Sequence, residues 1–89
     1  MEFSFSQELI KEIGKIKTKQ PQLLAKTNKK LSLFKENPKH PSLRTHKLTG
    51  KLSNSWSISV EGNIRLLYYV KEGEAVFFAI GTHDQVYKT

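Results

Sequence analysis

The sequence predicts an α+β domain in which an antiparallel hairpin of two helices covers one face of a small antiparallel sheet. Two observations carry the architecture. Before residue 37, apolar side chains recur at helical spacing in two adjacent segments; after residue 55, apolar or alternating stretches are separated by short glycine-containing loops. A third observation limits it: 89 residues suffice for one compact core, so one domain spanning residues 1–89 is expected.

The charge balance is the strongest compositional signal. Fifteen Lys and Arg stand against eight Asp and Glu, a formal net charge of +7. Between residues 15 and 51 there are eleven basic residues and a single acid, Glu36. Such a field favours a polyanion, although an acidic protein would satisfy it equally and a solvated lysine face is the plain alternative. The chain has no cysteine, which fits a reducing compartment and rules out disulfides and thiolate metal sites. Its longest apolar run is too short to span a bilayer, and its first residues, MEFSFSQE, lack the features of a signal peptide. A soluble cytoplasmic protein without a membrane partner is expected.

Residues 2–5 alternate, with Phe3 and Phe5 on one face of a short strand. Ser6 suits a helix N-cap and Glu8 the positive first turn. Leu9, Ile10, Ile13 and Ile16 then form the buried stripe of a helix whose lysines face water. Pro21 starts a second helix, because its missing N–H has no partner in a first turn. Leu23, Leu24, Thr27, Leu31 and Phe34 form its inner face. It ends at Asn37, since the residue before a proline avoids helical dihedrals.

Residues 37–44, NPKHPSLR, read as a surface loop with His40 exposed in it. Residues 45–48 suit a short strand and 49–51 a turn. Residues 56–60 alternate strictly, with Trp56, Ile58 and Val60 inward and serines outward. A three-residue loop, Glu61-Gly62-Asn63, with Asn63 left-handed, pairs Val60 with Ile64, Ile58 with Leu66, Trp56 with Tyr68 and Ser59 with Arg65. A second three-residue loop, Lys71-Glu72-Gly73, sets Ile64, Leu66 and Tyr68 against Ile80, Phe78 and Val76, and Arg65 against Ala79. The helices then cover one face, while the reverse face presents serines, Arg65 and, at its end, His83. A slip of one residue would place Arg65 beneath the helices.

A permanent charge inside the run Ile64 to Val70 needs a partner or a task. Asp84 could pair with Arg65; His83 and Tyr87, four residues apart, would share one side of a helical turn. RNA supplies its own nucleophile in the ribose 2′-OH, so its cleavage needs proton transfer near neutral pH and a cation on the phosphate, but no metal or other cofactor. His83 and His46 suit the proton steps, Arg65 the phosphate and Tyr87 base stacking. The plainer alternatives are a helix-start histidine, a packing tyrosine and an exposed strand-end His46. Arg44, His46, Lys47 and Lys51 also form one basic segment suited to phosphate contacts. There is no Gly-rich phosphate loop, HExxH or GxSxG motif.

Three segments, RTHKLTG from Arg44, IRLLYYV from Ile64 and IGTHDQVY from Ile80, in an order of strand, two helices and antiparallel strands, resemble the RelE/YafQ superfamily of toxin–antitoxin mRNA interferases. The resemblance covers nearly the whole chain, with GTHDQVY its most specific part. It implies a RelE-like fold and a type II toxin that cleaves mRNA on the ribosome without a metal, held inactive by an acidic antitoxin encoded beside it. It implies His83, Arg65, His46 and Tyr87 as catalytic residues, with Arg44, Lys47, Lys51 and Ser59 along the RNA. It would also place a further histidine near Ser59 and an aspartate near Asn63, where this chain has serine and asparagine. The alternatives are a ParE-like toxin acting on gyrase and a non-catalytic RNA- or ribosome-binding module of the same fold.

Overall fold

The computed structural model describes residues 1–87, and for His83 and Tyr87 the backbone alone. The order of elements is β1 (Phe3–Phe5), α1 (Gln7–Lys19), α2 (Pro21–Glu36), β2 (His46–Lys47), β3 (Ser55–Glu61), β4 (Ile64–Lys71), β5 (Glu74–Thr82) and α3 (His83–Tyr87). Two short 3-10 turns, Pro41–Leu43 and Gly50–Leu52, flank β2. The second of these takes the place of the plain turn expected at residues 49–51.

Both main helices start and stop as their sequences dictate. The Ser6 side chain accepts the Leu9 N–H at 3.1 Å, satisfying one of the donors left open at the start of α1. Gln20 alone separates α1 from α2; Pro21 opens α2 and Asn37 closes it. Leu9, Ile16, Leu23, Thr27, Leu31 and Phe34 are buried as expected, but Ile10 is 55% exposed. Its position one residue after Leu9 turns it out of the narrow stripe that meets the sheet. Phe34 sits at the centre of the core, 5.0 Å from the Tyr68 ring and 5.1 Å from that of Phe77 between centroids. Burial pushes the Tyr68 phenol up from its ordinary pKa, so it stays neutral at physiological pH.

The five strands lie in the order β1-β5-β4-β3-β2. All neighbours are antiparallel except β1, which runs parallel to β5 with Phe3 opposite Ala75. The sheet therefore places β4, and with it Arg65, at its centre.

Both hairpin loops are one residue shorter than expected. Glu61 pairs with Ile64 across Gly62-Asn63, and Gly62, not Asn63, has positive φ, at 49°. An irregularity between Ser59 and Glu61 absorbs Val60, so the expected pairs Ile58–Leu66, Trp56–Tyr68 and Ser59–Arg65 form while Val60–Ile64 does not. The loop between β4 and β5 is Glu72-Gly73, with φ of 54° and 81°. Positive φ at both positions matches strand twist in a two-residue hairpin.

That shorter loop moves the first half of β5 by one residue. Ala75 and Phe77 face the helices in place of Val76 and Phe78. A bulge at Phe78 then restores Ile80 to the helix side, opposite Leu66, and sets Arg65 opposite Gly81 instead of Ala79.

The reverse face is less open than alternation implies. Leu67, Phe78 and Ala79 on this side pack with Leu48, Leu52 and Val86 in a second apolar cluster. Ser55 and Ser57 are buried there, and Ser57 is fully inaccessible. Arg65 stays on this side, away from the helical layer.

Candidate functional site

Arg65 is half-buried in the middle strand, and its guanidinium is clamped by oxygens. Nε donates to Ser57 Oγ at 3.1 Å and Nη2 to the same oxygen at 2.7 Å. Nη2 also donates to the Ser57 carbonyl at 3.2 Å and the Arg44 carbonyl at 2.8 Å. All three acceptors are neutral, so among the described residues the charge is oriented without a carboxylate against it; that of Asp84, which the sequence allowed as a partner, is not among the acceptors. Among the described residues Nη1 carries no partner, which leaves its hydrogens to a ligand.

The Arg44 carbonyl reaches Arg65 because Arg44 is left-handed, with φ 46° and ψ 53°, at the end of the 3-10 turn. A bulky residue held in this region stores strain of about 1–3 kcal/mol, and such strain gathers at functional sites. Nothing in the local sequence marks Arg44 for this conformation. Ser57 was likewise visible only as one serine among three on an alternating strand.

His46 lies opposite Ser57 in the β2–β3 pair, on the same face as Arg65, and is exposed. Ser59 is opposite Arg65 on that face and half-buried. Lys51 is exposed in the turn Gly50–Leu52 beyond the edge strand. Lys47 goes elsewhere: paired with Trp56, it turns to the helix side, with Nζ 5.8 Å from the indole centroid. Arg44 contributes its carbonyl to the clamp.

The last element closes this corner. Thr82 Oγ accepts from Gln85 N at 3.3 Å, while Gln85 Oε1 accepts from Thr82 N at 2.9 Å. This reciprocal capping box was present in the sequence as Thr-x-x-Gln and fixes where α3 begins. The helix packs back over Gly81, the residue opposite Arg65, where an added Cβ would lie 2.8 Å from Gln85 Oε1. His83 and Tyr87 are the first and last residues of α3, so their backbones belong to the corner that holds Arg65; their side chains lie outside the described residues.

A family model described as the bacterial toxin of type II toxin-antitoxin systems, YafQ, matches residues 1–88. The chain belongs to the YafQ toxin family. No curated protein sequence matches it significantly. The fold of this YafQ-family toxin is shared with solved structures. A YoeB/ParE toxin from Agrobacterium tumefaciens superposes with a TM-score of 0.80 at 15% identity, covering 93% of this chain and 99% of that one. A YafQ mutant from E. coli gives 0.80 at 18% identity, with 97% of each chain covered. YoeB in the YoeB-YefM complex from Staphylococcus aureus gives 0.77 at 18%, covering 93% and 97%. The RelE-like architecture of the YafQ-family toxin thus extends over nearly its full length.

Proposed function

We propose that this YafQ-family toxin is an endoribonuclease that cuts mRNA on the ribosome by directing the ribose 2′-OH at the adjacent phosphate. The observation that carries this reading is Arg65: a guanidinium oriented by neutral oxygens on the uncovered side of the sheet, with no partner on Nη1 among the described residues. A phosphate gains negative charge as the 2′-OH attacks, and a preorganised cation stabilises that charge without reorganising. His83 and His46 exchange the protons, one taking that of the 2′-OH and the other supplying the leaving 5′-oxygen. Tyr87 stacks on a base, and Arg44, Lys51 and Ser59 line the strand.

The partner that restrains the toxin is a cognate antitoxin, by analogy with the YoeB-YefM complex of Staphylococcus aureus. A net charge of +7 favours an acidic one. Purified toxin added to translating ribosomes should give discrete mRNA cuts, reduced about 100-fold or more by His83→Ala, within the usual range for a general acid–base group. Equal cutting by that variant removes His83 from the mechanism.

A further inference from the structure

A second concavity lies on the helix side of the sheet edge, separate from the uncovered face. It has a volume of about 500 Å³ and is lined by Lys39, His40, Arg44, Trp56 and Tyr68, among others. Its aromatic wall is a stacked pair: the Trp56 and Tyr68 rings are 5.9 Å apart and inclined by 19°. Lys47 approaches the same indole. The His40 ring is fixed by accepting the Ser42 N–H at Nδ1, 3.1 Å away, which makes Nε2 the donor of the neutral ring. Aromatic surface, cations and a fixed donor in one concave site form the combination that takes up a base with its phosphate.

Arg44 joins this cleft to the proposed cleavage site. It lines the cleft, while its carbonyl accepts from the Arg65 guanidinium at 2.8 Å. A strand with one phosphate on Arg65 therefore has the cleft within reach of a flanking nucleotide.

We propose that the cleft is a nucleotide subsite, in which a flanking base of the RNA packs against Trp56 and its phosphate meets Arg44 and Lys39. This deepens the ribonuclease reading and rests on it for the choice of RNA as ligand.

Trp56 is the sole tryptophan, so its fluorescence reports on the cleft directly. The full chain is titrated with 5′-nucleoside monophosphates, with a 2′-O-methyl trinucleotide that cannot be cleaved, and with inorganic phosphate. The expected result is saturable quenching by the nucleotide and the trinucleotide but not by phosphate. Lys39→Ala and Arg44→Gly, the latter suited to a left-handed backbone, should each weaken it about fivefold to tenfold, the loss of one charge-assisted contact. Quenching without any mRNA cleavage by the wild type would support the subsite and overturn the nuclease reading. No quenching, equal quenching by phosphate alone, or quenching unchanged in both Lys39→Ala and Arg44→Gly would overturn the subsite.

Discussion

Among the described residues Arg65 makes four hydrogen bonds, all through Nε and Nη2, and Ser57 receives three of them. Ser57→Ala removes the hydroxyl that accepts two, leaving the Ser57 and Arg44 carbonyls to hold the charge. A guanidinium displaced by about 1 Å costs on the order of 100-fold in rate. Ser57→Ala is accordingly expected to lower the rate of mRNA cleavage about 10- to 100-fold while the protein stays folded, measured by single-turnover cleavage beside a thermal melt. An unchanged rate would show that the clamp is not part of the mechanism. At this scale the sequence revealed the anomaly and not its solution. A lone arginine in an apolar strand was plain to see, whereas its partners came from a strand serine and from a left-handed Arg44 that has no local signature.

Among the elements, the helices were legible because caps and periodicity act locally: Ser6, Pro21 and Asn37 mark their ends without reference to the rest of the chain. The sheet was legible only in part. Arg65 keeps the predicted face and the predicted partner Ser59, but the turn Glu72-Gly73 and the bulge at Phe78 together set the β5 register. Loop length depends on whether Glu72 accepts positive φ, and glutamate gives no sign that it will. The small helix α3 was marked twice, by Thr82 with Gln85 and by the glycine it covers. Gly81→Ala places a methyl group against Gln85 Oε1 and close to Val86. It should destabilise the fold by about 1–2 kcal/mol through overpacking and a broken cap. For a domain of this size that corresponds to about 4–16 °C in Tm. Cleavage should fall at temperatures where the variant is still folded, because α3 carries His83, the proposed proton carrier. A melt indistinguishable from wild type would mean that α3 is not held against Gly81.

For the whole molecule, two helices shield one side of the sheet while the other side keeps Arg65, His46 and the start of α3 within one corner. On the proposed reading, lysines on the outer helix faces attract the polyanion and the corner carries the cleavage chemistry. The excess positive charge was legible from composition; which face bears the site was legible only through strand pairing. No helix among the described residues is long and apolar enough to cross a membrane.

Attack of the ribose 2′-OH on a phosphate held by Arg65 is the step on which the proposed function rests. It is tested most directly by the chemical nature of the fragment ends when purified toxin cuts mRNA on translating ribosomes, with Arg65→Ala alongside. Attack by the 2′-OH leaves a 2′,3′-cyclic phosphate, or the 3′-phosphate derived from it, on one fragment and a 5′-hydroxyl on the other, and Arg65→Ala should suppress both. Fragments ending in 3′-hydroxyl and 5′-phosphate, or cuts that persist undiminished without Arg65, would contradict the account.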